Sequence, residues 1–479
     1  MYGLCSTNKW KYKRHILPAC TCQIEINNKG LKYYLGSSIF SVKHLLIIVF
    51  LVLSMSAAPA QKAKLFAGPL IGSVTKNSAK IWIGYQGKGK NAVILGDTST
   101  KKLYYPTDYS YLASNGVVAL TFDFTGLQPD HVYNILVSIE GWKTQTRASF
   151  RTLADTPVRD FTFSLGSCAL MNTDWSRPVF PGGKTRIFNS IRRRHSEFML
   201  WLGDNIYYMH PSEYNTVEGM FARNMKVRSS FKKFKFFITA MPHYAIWDDH
   251  DFGPNDSDGR WHMKDSSLMI FKSFWPNTYP EQSNLKGNYF SFRYYDAEFF
   301  MTDDRYFRDP PGASAAHFLG DNQLVWLKNK LLLSDAAFKF IAVGTQVLND
   351  NKFGETYHQY PKEQAELFEF IAKNNIKGVI FLTGDKHYSE ICRKEVMGYP
   401  IIDFTSSPMT SPPLPRRLLG ALQNANRIPD TDYGHHSFGR ISLSGPVGSR
   451  KCLIEIYGIA GNKRRELAID QNELQRKGP

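Results

Sequence analysis

The chain has no apolar stretch of the 18 or more residues that a membrane-spanning helix needs, which excludes a polytopic membrane protein. It is poor in cysteine, with six in 479 residues, and no two are spaced Cys-x-x-Cys. A disulfide-stapled scaffold and a zinc ribbon are therefore excluded. There is no His-Glu-x-x-His, no Gly-x-x-x-x-Gly-Lys-Ser/Thr and no Gly-x-Ser-x-Gly. Those absences argue against a zincin peptidase, a P-loop nucleotide hydrolase and a serine hydrolase of the nucleophile-elbow type. No repeat with a period of 20–50 residues is visible.

What is present describes a folded chain, with 43% hydrophobic, 14% aromatic and only 21% charged residues. The length exceeds one ordinary domain. The net charge is +17, of which the first sixty residues carry +6 from seven Lys/Arg and one Glu. The other 52 basic and 41 acidic side chains are spread over the remaining 419 residues. Such a mildly basic surface suits an anionic substrate or an anionic membrane face, and lacks the concentrated groove of a nucleic-acid binder.

Residues 1–60 read as an N-terminal extension and signal peptide. Lys43 and His44 precede the wholly apolar run Leu45–Leu53, and Ala58-Pro59-Ala60 follows as a small-residue cleavage site. This predicts a secreted, periplasmic or envelope protein beginning near Gln61, with no transmembrane span and with only Cys168, Cys392 and Cys452 left. An odd number of thiols in an oxidising compartment leaves one free or ligated, and Cys392 with Cys452 is a candidate pair.

Residues 61–155 read as an all-β sandwich of immunoglobulin or fibronectin type. Ala79–Tyr85, Ala92–Leu95, Val117–Phe124 and Val132–Ile139 are short β-rich runs between turn residues. Residues 156–479 read as an α/β domain, with predicted helices at Thr185–Arg194, Leu319–Leu333 and Lys362–Asn374. Six strand-length apolar runs there end in polar, reactive residues: FTFSLGSC at Cys168, FMLWLGDNIY at Asp204, HYAIWDDHD at Asp248–Asp251, EFFMTDDR at Asp303–Arg305, KFIAVGTQ at Gln346 and GVIFLTGDKH at Asp385–His387. Ligands collect beyond the carboxyl ends of strands in such folds. One strand ending in Asp is an ordinary turn; several of them make a site.

Asp204, Asp249, Asp385 and His387 form a ligand set for divalent or trivalent metals, with Gly203 and Gly384 letting the strands turn sharply into it. Cys168 and Tyr207 add a thiolate and a phenolate, which favour ferric iron over magnesium. His250 is placed to donate a proton or a hydrogen bond to whatever the metals bind. Arg305 suits bidentate contact with phosphate, or alternatively a salt bridge to Asp303 or Asp304, and Lys386 offers a point charge. The triplet Arg192–Arg194 reads as a solvated helix end. The Pro-rich stretch Ser407–Arg417 reads as a loop near the rim of the site or as ordinary surface.

The words GSC (Gly166–Cys168), LGDNIYY (Leu202–Tyr208), WDDHDFGPNDSD (Trp247–Asp258), DDRYFRD (Asp303–Asp309), LTGDKHYSE (Leu382–Glu390) and FTSSP (Phe404–Pro408) together resemble the PhoD-like alkaline phosphatases, within the calcineurin-like metallophosphatases. The resemblance runs from about Gly68 to Leu467. It implies a four-layer αββα core after the β-sandwich, and a site holding one Fe3+ with Ca2+, other divalent metals being the alternative. Cys168, Asp204, Tyr207 and Asp385 match the iron ligands, with Asp249, Asn255 and His387 near calcium. Whether Asp248 or Asp249 takes the ligand position is open, because the superfamily places an Asn there. The superfamily's Asp-x-His on the first strand is absent, and Cys168 lies in that region. The implied activity is metal-dependent hydrolysis of phosphomonoesters or phosphodiesters, by attack of a metal-activated hydroxide, with no specific nucleic-acid binding. The alternative is a carbohydrate- or surface-binding protein whose phosphatase-like domain is inert.

Overall fold

The computed structural model describes residues 13–16 and 64–476, apart from 88–90, 140–141, 157, 173–183, 280–285, 313–314, 352–353 and 415–422. The expected signal segment lies outside the described residues.

Each of the four runs predicted in the N-terminal third lies on a strand: Ser78–Gln86, Asn91–Asp97, Val117–Thr125 and Val132–Ile139. They belong to two antiparallel sheets. One has the order Lys13–Ile16, Asp108–Ser114, Val117–Thr125, Ser78–Gln86 and Lys64–Gly72. The other has the order Leu103–Tyr104, Asn91–Asp97, Val132–Ile139 and Trp142–Arg151. Alternation along Val132–Ile139 turns Tyr133, Ile135, Val137 and Ile139 inward, where they meet Ile81, Ile83, Val93 and Phe122 in one core.

The six reactive runs of the second region are all strands, shared between two further six-stranded sheets. His243–Ile246, Phe198–Leu202 and Phe161–Gly166 run parallel in the first, followed by the antiparallel Ser437–Ser444, Lys451–Gly458 and Lys463–Asp470. Ala297–Met301, Phe338–Val343, Val379–Thr383 and Tyr399–Thr405 run parallel in the second, between antiparallel edges Phe290–Tyr294 and Glu390–Val396. The sheets face one another through an aromatic core in which Phe163 meets Phe299 and Phe340 edge-on at 5.1 and 5.3 Å. Helices cover both outer faces. Arg186–Arg192, Val217–Ser230, Lys232–Ile238 and Lys264–Phe274 lie over the first sheet, and Asp321–Leu333 and Pro361–Lys373 over the second. The result is helix, sheet, sheet, helix. Central strands are buried on both faces, which is why they read as continuous apolar runs.

The predicted helices hold with trimmed ends. Gly320 at φ 81° delays the one expected from Leu319 until Asp321, and the one expected to Arg194 stops at Arg192. The candidate Cys392–Cys452 pair is corrected, since both thiols are free and buried. Cys452 lies in the core between the sheets and Cys392 in the core under the outer helices, so a layer of sheet separates them.

The N-terminal strands are joined to the first sheet's helices by a buried aromatic box. The Arg228 guanidinium sits 5.6, 5.0 and 4.9 Å from the rings of Trp82, Phe274 and Trp275, and the Trp82 indole donates to the Ser273 carbonyl at 3.0 Å. Trp82→Ala empties this box and leaves Arg228 without one of its three rings. It should lower the free energy of unfolding by about 3–5 kcal/mol in denaturant titrations.

Candidate metal centre

The carboxyl ends of the two sheets meet, stitched by backbone bonds from Ser167 N to Ser406 O at 3.1 Å, Met409 N to Ser167 O at 2.9 Å and Thr410 N to Cys168 O at 3.1 Å. The loops that follow the strands converge there. Cys168, Asp204, Asp385 and His387 all adopt left-handed backbone, with φ of 55°, 55°, 68° and 58°. Non-glycine residues seldom do so, at a cost of about 1–3 kcal/mol each, and such strain gathers at functional sites. Gly203 turns at φ 89°, where a Cβ would come within 2.5 Å of Asp248 Cβ. Gly384, expected to make a sharp turn, has a different reason. It lies outside the left-handed region, but a Cβ would sit 2.6 Å from the Leu202 carbonyl oxygen and 2.7 Å from Ser167 Cβ. It is glycine because the two sheets approach so closely.

Asp204 is the hub. Its Oδ2 accepts from the Tyr207 hydroxyl at 2.8 Å and the Cys168 thiol at 3.5 Å, and its Oδ1 faces the His250 N–H at 3.3 Å. Ligand atoms of Cys168, Asp204 and His387 lie within 4.8 Å of one another, as do those of Asp204, Asp249 and His250, and those of Asp249, Asp256 and Glu355. The shared aspartates link the three groups into one chain of donors. His387 places Nδ1 2.7 Å from the Pro412 carbonyl, a contact that needs the proton on Nδ1 and leaves Nε2 with a lone pair.

Electrostatics give the cluster its character. Burial, followed by the charges of Asp249, Asp248, Asp251 and Asp385, holds the Asp204 carboxyl well above its ordinary value. Burial and the charges of Asp204 and Asp385 push the Cys168 thiol up, and burial with Asp204 and Cys168 does the same to the Tyr207 phenol. Burial also presses on Asp249, but His250, Arg305 and the Asp256 N–H outweigh it and hold that carboxyl well below the ordinary range. A thiol, a phenol and several carboxyls packed out of water cannot ionise together without a cation among them. Among the described residues, the buried Asp248 Oδ2 and Asp304 Oδ1 have no hydrogen-bond partner. The donor set fits a metal.

The other expected residues are placed as follows. Asp248 and Asp249 have different partners: Asp248 binds the Arg305 guanidinium, with Nε at 2.5 Å, while Asp249 joins the donor chain. Arg305 is fully buried, and its donors go to Asp248, Glu355, Thr345 and the Ser257 carbonyl, so it does not present a free fork to a phosphate. Neither Asp303 nor Asp304 is its ion-pair partner. His250 stacks on Tyr207, with centroids 4.1 Å apart, and remains partly exposed at the lip. Asp385 pairs with Lys386 at 3.0 Å, and both line an adjoining cavity of about 260 Å³. Asn255 is exposed, and the adjacent Asp256 is the residue grouped with Asp249.

The stretch from Ser407, read as a rim loop or as ordinary surface, lies deeper than expected, and two further acids of the site were not expected. That stretch is an inner wall: Ser407 donates to Cys168 Sγ at 3.2 Å and Ser411 to the Tyr207 oxygen at 3.0 Å. Glu355 clamps Arg305 and Arg308, and nothing in its local sequence marks it. Asp251 points away from the donors and braces their loop. Its carboxyl accepts from Asn205 N at 3.0 Å, Asn205 Nδ2 at 3.1 Å and Ile206 N at 2.9 Å, and burial pushes it up to about 7. Asp251→Ala strands those buried donors. It should lower stability by about 2–4 kcal/mol in chemical denaturation.

The model of the PhoD-like phosphatase family matches residues 163–445. Alkaline phosphatase D of Bacillus subtilis (strain 168) is 24% identical over an alignment of 316 positions, gaps included, that covers 55% of this chain and 52% of that protein. The matched part thus spans about half the length of that curated relative. The solved structure of PhoD superposes with a TM-score of 0.66 at 17% identity, covering 86% of this chain and 93% of that one. The purple acid phosphatase PPD1 from yellow lupin (Lupinus luteus) seeds gives 0.61 at 10% identity, over 84% and 74%. These two likenesses concern the fold, and the purple acid phosphatase fold extends the match beyond one family. Because the matched residues run from the strand that leads to Cys168 to the end of the strand Ser437–Ser444, and enclose every loop of the donor cluster, the chain belongs to the PhoD-like phosphatase family.

Proposed function

We propose that the protein is a secreted or envelope-associated metal-dependent phosphatase that hydrolyses phosphate monoesters or diesters. The observation that carries this reading is the meeting of a thiol and a phenol on one carboxylate oxygen of Asp204, beside a second carboxylate and an imidazole. Cys168, Asp204, Tyr207 and Asp385 would hold a ferric ion, and Asp204, Asp249, Asp385 and His387 would serve calcium, with Asp256 closer to this set than Asn255. Such ions supply charge neutralisation at phosphoryl oxygens and activation of water.

The protein's own residues orient and protonate. His250, held against Tyr207 at the lip, donates to the leaving oxygen. Arg305 acts as a positioning residue that fixes Asp248 beneath Gly203 and Gly344, whose missing side chains leave room for it. Lys386 keeps Asp385 oriented from the cavity side. The division into residues 61–155, an immunoglobulin- or fibronectin-like sandwich, and 156–479, the catalytic domain, is supported by the cluster of Ile81, Val93, Phe122 and Tyr133 between the two N-terminal sheets. Export by residues 1–60 follows from their basic, apolar and small-residue order.

Asp204→Asn removes the shared ligand charge without changing shape. Hydrolysis of p-nitrophenyl phosphate and bis-p-nitrophenyl phosphate should fall by at least about a thousandfold, while the thermal midpoint stays within a few degrees. Retained hydrolysis would refute the assignment.

A further inference from the structure

The outer face of the first sheet carries a basic surface that the hydrolytic site does not use. The helices Arg186–Arg192 and Lys232–Ile238 lie side by side, with Phe188 packed on Phe234 and Phe237 at ring-centroid distances of 5.1 and 5.2 Å. Their buried seam settles what faces outward. In the second helix Phe234, Phe237 and Ile238 are buried, which leaves Lys232, Lys233 and Phe236 on the opposite side at spacings of three and four residues. Phe236 is 56% exposed although it is a large apolar ring. Arg192 and Arg193, at the end of the first helix, are exposed as well. Among the described residues none of these four cations is ion-paired to a carboxylate. The strand Lys64–Gly72 packs against the same helix, and burial together with the charge of Lys64 presses the Lys235 ammonium below its ordinary value.

We infer that this ridge of Lys232, Lys233, Phe236, Arg192 and Arg193 docks the protein on a membrane surface bearing anionic phospholipid headgroups. Several unpaired cations around a projecting aromatic ring suit the headgroup boundary, where charge meets anionic lipid and the ring enters the apolar edge. A soluble polyanion would meet the same charges but has no use for the ring. The surface patch that includes Arg192 and Arg193 is thus more than the solvated helix end expected from sequence.

The test is co-sedimentation of the full chain with phosphatidylcholine vesicles, with and without about 30% phosphatidylglycerol, at low and raised salt. The inference expects binding to the anionic vesicles at least about tenfold tighter than to neutral ones, weakened by salt. It expects a loss of roughly tenfold in Lys232→Glu/Lys233→Glu, and a smaller loss in Phe236→Ser. Both variants should hydrolyse a soluble phosphate ester at the parental rate, which reports that they fold. Equal binding to neutral and anionic vesicles would overturn the inference, because the headgroup charge would then play no part in attachment. So would unchanged binding by the charge-reversed variant. Retention on heparin with no vesicle binding would also overturn it, in favour of a soluble polyanion.

Discussion

The structure depends on one electrostatic demand, made by a carboxylate that is buried among other acids. Asp204 is 2% exposed, and its surroundings include Asp248, Asp249, Asp251 and Asp385 together with the Cys168 thiol and the Tyr207 phenol. Left to themselves these groups suppress one another's ionisation. A cation of high charge reverses that balance and turns mutual repulsion into shared coordination. Arg305 is committed to Asp248 and Glu355, and Lys386 to Asp385, which leaves the Asp204 side to be neutralised by something bound.

The fold meets this demand by bringing two sheets' strand ends into contact. Cys168, Asp204 and Asp385 each follow a strand end by two residues and His387 by four, all four in left-handed backbone, while Asp249 opens a short helix three residues after Ile246. That left-handed backbone is costly, and it is held by neighbours: Ser407 and Ser411 reach across from the other sheet to Cys168 and Tyr207, and Pro412, on the same sheet as His387, fixes its ring. The aromatic core between the sheets and the box around Arg228 keep these neighbours rigid. A site built from strained loops is precise only when the layers beneath it do not slide.

Much of this was legible in the sequence because the relevant signals are local. A strand buried on both faces is a continuous apolar run, so FMLWL and VIFLT announced themselves, and the polar residue that ends each run fell at the site. The helix Val217–Ser230 was not read, because Arg223, Asn224 and Arg228 point into the protein and break the apolar period. The partner of Arg305 was misjudged for a similar reason. Nearby Asp303 and Asp304 were the natural candidates from sequence, but Asp303 instead accepts from Trp247, Asn288 and two backbone N–H groups, and the countercharges come from Asp248 and Glu355. The Pro-rich stretch had the composition of a surface loop, and only the cross-sheet pairing shows its first residues to be a wall of the site. Gly384 was recognised as special, but its cause, a steric approach between sheets, is a long-range fact.

The most direct test of this account is elemental analysis of the purified protein together with its visible absorption spectrum. The account predicts close to one equivalent of iron accompanied by calcium, and an absorption band of the tyrosinate-to-iron type that disappears when Tyr207 is replaced by Phe. Colourless, metal-free protein that takes up neither ion and stays inert after both are supplied would contradict it.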